Sequence, residues 1–113
     1  MADYRIEKIN NIIQKFLAEL IAKDFCVSRE VIISITKVSA SGNLQEAKVY
    51  VSVLPDNQRE KIMAGLNHNI HFFQSALNKQ MRMRPVPKII FIADTNPIKA
   101  QEVETILEQL KND

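Results

Sequence analysis

The chain has 113 residues and a net charge of +2, with 46% apolar and 25% charged residues. That balance suits one folded domain, leaves little for a second core and excludes a disordered chain. The single cysteine, Cys26, excludes an internal disulfide and a multi-cysteine zinc site; with no apolar run of membrane-spanning length and a charged start, MADYRIEKIN, it points to a reducing, cytoplasmic setting.

From Asp3 to about Lys23, the residues Ile6, Ile9, Ile13, Phe16, Leu17 and Leu20 fall at three- and four-residue steps, the stripe of an amphipathic helix. Asp3 is the expected N-cap, and Arg5, Lys8, Lys15 and Glu19 take the opposite face. VIISITKV, residues 31–38, is rich in β-branched residues and reads as a mostly buried strand. SASGNLQ supplies turn chemistry, with Gly42 suited to a positive φ. In EAKVYVSVL, Ala47, Val49, Val51 and Val53 alternate with Lys48, Tyr50 and Ser52, so one face is buried and the other open. The two strands make a hairpin.

A second long helix starts in LPDNQREKI, where Asn57 and Glu60 have capping-box spacing. Its spine is Ile62, Leu66, Ile70, Phe73 and Leu77, and its far face is Lys61, His68, His71, Ser75, Lys79 and Arg82, polar and without an acid. Pro85 is expected to end this helix by pushing Arg84 out of the helical region, and Pro87 to do the same to Val86, so that residues 84–87 run extended and stiff. KIIFIAD is then a third strand. TNPIKAQEVETILEQLKND closes the chain as a helix capped by Asn96, with Pro97 at its first position. The order α-β-β-α-β-α contains no repeat and no dividing linker, so residues 1–113 form one domain.

Charge is segregated along the chain. Residues 1–60 hold eight bases and eight acids; residues 61–93 hold Lys61, Lys79, Arg82, Arg84 and Lys88 and no acid; the remainder holds two bases against five acids. A localised anion-binding surface needs such segregation. The stretch MRMRPVPK, residues 81–88, holds three of those five bases. Its spacing fits both a solvated helix terminus, where cations meet the dipole, and a grip on nucleic acid, although the dipole accounts for Arg82 better than for Lys79, Arg82, Arg84 and Lys88 together.

Enzyme chemistry is not visible. With only Gly42 and Gly65 there is no glycine-rich phosphate loop, and no nucleophile elbow or HExxH occurs, so no catalytic residue and no cofactor is expected. His68 and His71 lack a third ligand of suitable spacing and read as a surface pair rather than a metal site. Met63, Met81 and Met83 read as core filler, and Cys26 as a small apolar residue. Tyr50 and Phe72 are the aromatic residues placed to stack on bases. No RRM aromatic pattern is present, so phosphate contacts and shape dominate any nucleic-acid binding.

Two blocks carry a resemblance. AKVYVS, from Ala47 to Ser52, and the R-x-R-x-V-P block with its later Phe and Asp, formed by Arg82, Arg84, Val86, Pro87, Phe91 and Asp94, occur in order. With the opening Arg5-Ile6 and a long first helix, they resemble bacterial ribosome-binding factor A over nearly the whole chain. The resemblance implies an α+β, type II KH-like domain: an α-β-β-α-β core with a C-terminal helix packed on a three-stranded sheet. It implies a partner, 16S rRNA within the small ribosomal subunit, with small-subunit proteins as further contacts. It also implies a role in late rRNA folding and 5′-end processing, away from translating ribosomes and most needed in the cold. The KH phosphate-clamping GxxG is absent, and the interhelical kink that replaces it in the family falls near Ser75-Ala76-Leu77. Asp24-Phe25-Cys26 stands where the family usually has Asp-Pro-Arg, and Asn43-Leu44 where it has Asp-Leu.

The expected RNA-binding residues are Lys79, Arg82, Arg84 and Lys88, extended by Lys61, His68 and His71, with Arg5 and Lys8 on the first helix. No metal, no membrane and a monomer complete the expectation. The rival reading is a cytoplasmic protein-interaction adaptor without RNA contact, meeting its partner through the open face of the 47–54 strand or the acidic last helix.

Overall fold

The alternation in EAKVYVSVL becomes β2 (Glu46–Leu54), the central strand of a three-stranded sheet, in a computed structural model that describes residues 2–25 and 29–95. β1 (Ile32–Ala40) pairs with it antiparallel, from Ile32 opposite Leu54 to Ala40 opposite Ala47. β3 (Lys88–Ala93) pairs with its other side in parallel, from Glu46 opposite Lys88 to Val51 opposite Ala93. A parallel return needs a long crossover, and the helical segment between β2 and β3 provides it. The α-β-β-α-β core is therefore present, and β1 runs two residues beyond its expected end. The closing helix expected from Asn96 onward lies outside the described residues, as does Cys26.

α1 (Ala2–Asp24) buries Ile9, Ile13, Leu17 and Ile21 at steps of four against β1 and the helix that precedes β3. Phe16 and Leu20 pack beside them. The helix begins before Asp3, so Asp3 lies inside it and is not its cap. Ala47, Val49, Val51 and Val53 of β2 all point into the same core, with Ile89 and Phe91 of β3, as strand periodicity requires. Burying each such large aliphatic side chain contributes about 1.5–3 kcal/mol. Met63, Met81 and Met83 are core residues: Met81 is buried, and Met63 and Met83 pack against the cluster.

The second helix is two helices. α2 (Arg59–His68) and α3 (Ile70–Gln80) meet at Asn69, whose φ and ψ are −100° and 18°. The expected kink at 75–77 is thus displaced by two turns, and the cause is local. The Asn69 backbone N–H and its Nδ2 both donate to the Gly65 carbonyl, at 3.1 and 2.8 Å. A side-chain amide folded back on the preceding turn competes with the helical ladder and bends it. Gly65 has a second use: a Cβ there would sit 3.0 Å from Phe25 Cζ, so the absent side chain makes room for that ring over α2.

Three other local expectations are corrected. The capping box of Asn57 and Glu60 does not form; Asp56–Gln58 is a 3-10 turn leading into α2, and neither helical start has a side-chain cap. In the hairpin turn the left-handed residue is Leu44, at φ 57°, not Gly42. Leu44 packs on the core, which offsets a strain of about 1–2 kcal/mol. The Ser41 hydroxyl fixes the turn by accepting from the Gln45 and Glu46 amides at 3.2 and 3.1 Å. Finally, α3 stops at Gln80, and Met81 is already extended at φ −88° and ψ 140°. A Pro85 ring would clash with the Met81 carbonyl in a continued helix. Residues 83–85 form a bend with a cis Arg84–Pro85 bond instead of running straight.

Side-chain amides close parts of both sheet edges. On the outer edge of β1, Asn10 Oδ1 accepts from the Ala40 N–H at 2.8 Å and Gln14 Nε2 donates to the Ile35 carbonyl at 3.0 Å. On the outer edge of β3, Gln74 Nε2 donates to the Pro87 carbonyl at 3.1 Å while its Oε1 accepts from the Ile89 N–H at 2.9 Å. Covered edges discourage pairing with another chain.

Candidate nucleic-acid interface

The alternation in MRMRPVPK has a structural reason. Met81 and Pro87 are buried and Met83 and Val86 half-buried, whereas Arg82, Arg84, Pro85 and Lys88 are exposed. Apolar residues at 81, 83, 86 and 87 seat the segment on the core and turn the cations between and beside them outward. Lys79, in the last turn of α3, is exposed just before them. Lys79 at the end of α3, Arg82 and Arg84 in the connection and Lys88 at the start of β3 thus fall on one continuous stretch, held at both ends by packing.

A groove opens along this connection, lined by Gln74, Asn78, Arg84, Pro85, Val86 and Lys88. Gln74 is its structural staple, since its two hydrogen bonds to the chain around Lys88 fix α3 against the start of β3. Its Nε2 also donates to Asn78 Oδ1 at 3.1 Å, which orients the Asn78 carboxamide.

The remaining expected residues are less concentrated. Lys61, His68 and His71 are all exposed, but the break at Asn69 leaves His68 at the end of α2 and His71 at the start of α3. Phe72, between the histidines and Lys79, is 49% exposed. It meets Phe73 edge-on at 5.4 Å and 70°, which leaves part of its ring open to solvent. Arg5 and Lys8 are exposed on the first turns of a different helix, α1.

Folding also changes the electrostatics read along the chain. Glu46 stands opposite Lys88 in the β2–β3 register, so the acid-free segment has an acidic neighbour across the sheet. Lys37 was not among the expected residues, yet its ammonium lies 5.9 Å from the Tyr50 ring centroid on the open sheet face, a cation–π distance. The alternation of β1 was the available signal. Asp94, the last residue of the second motif block, accepts from the Thr36 hydroxyl at 2.7 Å, a tie from the end of β3 to the irregularity in β1.

Among the described residues, no group of three or more His, Cys, Asp or Glu side chains could hold a metal ion. No helix among them is long and apolar enough to cross a membrane.

Comparison with known proteins agrees at the level of sequence, family and fold. Ribosome-binding factor A of Prochlorococcus marinus is 32% identical across 97% of this chain and 87% of its own length. That of Heliobacterium modesticaldum is 32% identical across 99% of this chain and 93% of its own. The solution structure of a Thermotoga maritima protein described as a ribosome binding factor A superposes with a TM-score of 0.67, at 27% identity, over 82% of this chain and 90% of that one. A homology model of the Thermus thermophilus ribosome binding factor A, fitted into a cryo-EM map of its 30S complex, shares the fold, with a TM-score of 0.62 at 21% identity, over 74% of this chain and 88% of that one. The ribosome-binding factor A family model matches residues 5–107, and with these relatives it establishes that the chain belongs to that family.

Proposed function

We propose that residues 1–113 act as one RNA-binding domain that assists assembly of the small (30S) ribosomal subunit without catalysis. Its partner is 16S rRNA in the free, immature subunit, with small-subunit proteins as secondary contacts. It supports late folding and 5′-end processing of that RNA in the cytoplasm, acts as a monomer, is released before translation, and is most needed at low temperature. The observation that carries the reading is the α3–β3 connection, where buried Met81 and Pro87 hold Arg82, Arg84 and Lys88 outward from a defined backbone. A pre-set array of cations loses less entropy on meeting phosphates than the same residues on a loose tail. Family membership and the 30S-fitted relative support the choice of ribosomal RNA over other polyanions.

The test is co-sedimentation of the purified protein with small subunits, large subunits and joined ribosomes across a salt series. Binding is expected with free small subunits alone, and its log–log salt slope should be about −3, the value for release of counterions from roughly four phosphates. A nearly flat salt dependence would support the protein-adaptor reading instead, and equal binding to all particles would reduce the site to a non-specific basic patch.

A further inference from the structure

The α3–β3 groove has a hydrogen-bonding polarity that its residue names conceal. The Pro87 carbonyl can only accept and the Ile89 N–H can only donate, so the Gln74 carboxamide that bonds both has a single possible orientation. Its Nε2 therefore faces Asn78 and must meet an oxygen, as it does at Asn78 Oδ1. That leaves Asn78 Nδ2, with its two N–H groups, as the free arm of a residue that lines the groove, and it has no partner among the described residues. The other polar side chains of the lining are Arg84 and Lys88, which are donors only. Gln74 Oε1 is occupied by the Ile89 amide. No carboxylate lines the groove, and Glu46, the acid opposite Lys88, stays outside the lining.

Such a groove offers free donors and positive charge, while its two side-chain carbonyl oxygens, Gln74 Oε1 and Asn78 Oδ1, are each already engaged by a hydrogen bond. The fitting ligand is an oxyanion that accepts several hydrogen bonds at once. Pro85 and Val86 add an apolar wall, which suits the sugar flanking a phosphodiester better than a bare ion. We infer that this groove seats one backbone phosphate of bound RNA, with Asn78 Nδ2 donating to a non-bridging oxygen while Arg84 and Lys88 neutralise its charge. The inference rests on the RNA reading above and deepens it: Asn78 is a fixed neutral donor that aligns the phosphate, and Gln74 is the residue that positions it.

Asn78→Asp in the full chain is the discriminating variant. Aspartate keeps the oxygen that Gln74 requires and the shape of the side chain, but replaces the free NH2 by a negatively charged acceptor. Affinity for free small subunits should fall about tenfold or more, and the salt slope should become shallower by about one phosphate's share. In the unaltered protein, the Asn78 side-chain NH2 signals should shift on titration with a ten-nucleotide single-stranded RNA, weakly with inorganic phosphate, and not with a polyglutamate peptide. Unchanged affinity in Asn78→Asp, beside a loss in the Arg82→Ala, Arg84→Ala double variant, would overturn the phosphate seat and leave the RNA grip intact. No loss in either would remove the RNA reading itself. Equal shifts with RNA and polyglutamate would make the groove a carboxylate site and overturn the assignment. If Asn78→Asp does not fold, Asn78→Ala replaces it, with a loss of about threefold expected and an unchanged affinity counting against the seat.

Discussion

Replacing Arg82 and Arg84 together by alanine should weaken binding to free small subunits by roughly ten- to a hundredfold, the scale of two charge-assisted phosphate contacts. The salt slope should become shallower by about 1.5, because two fewer counterion equivalents are released. Both side chains are exposed, and the fold is anchored around them by Met81 and Pro87, so thermal stability should stay within about 0.5 kcal/mol of the unaltered protein. Sedimentation at three salt concentrations measures both affinity and slope. A double variant that binds like the original would show that these arginines only decorate a helix terminus.

The second large effect concerns stability. Phe73 is 1% exposed and lies where the helices meet the sheet. Phe72 and Phe91 meet it edge-on at 5.4 and 5.5 Å, and Phe25 lies tilted at 6.2 Å. Phe73→Ala removes the common member of all three contacts and leaves a cavity that the sheet cannot collapse to fill, a loss of about 3–5 kcal/mol. Domains of this size are stable by only about 5–15 kcal/mol, so the urea midpoint should drop sharply with an unchanged m-value. A loss below about 1 kcal/mol would mean the ring is less closely packed than these contacts indicate.

The parts of the fold that depend on one-dimensional period were legible in the sequence. Val49, Val51 and Val53 alternate because a strand alternates, and Ile62, Leu66, Phe73 and Leu77 recur because a helix turns. The outward cations were legible for the same reason, since apolar residues punctuate MRMRPVPK. What was not legible depends on a side chain choosing a partner. The helix breaks at Asn69 because its amide prefers the Gly65 carbonyl, and nothing in the spacing distinguishes Asn69 from the equally polar Asn67 or Asn78. Leu44 takes the left-handed position through the Ser41 network, against the composition rule that favours Gly42. Glu46 beside Lys88, and Gln74 beside residues 87 and 89, are neighbours only once β3 has returned parallel to β2. The groove therefore combines cations that are visible in the chain with an amide pair whose orientation exists only in three dimensions.

The side-chain plugs on the sheet edges bear on how the molecule trades hydrogens with its solvent. The amides of Ala40 and Ile89 point away from β2, where an edge strand ordinarily leaves its N–H groups to water. Asn10 and Gln74 hold them instead. In deuterium these two peripheral amides should keep their protons about as long as those in the centre of the ladder, because each is released only when a helix lifts from the sheet. Their exchange would then report the docking of α1 and α3 separately: one amide for each helix, at opposite margins of the same sheet.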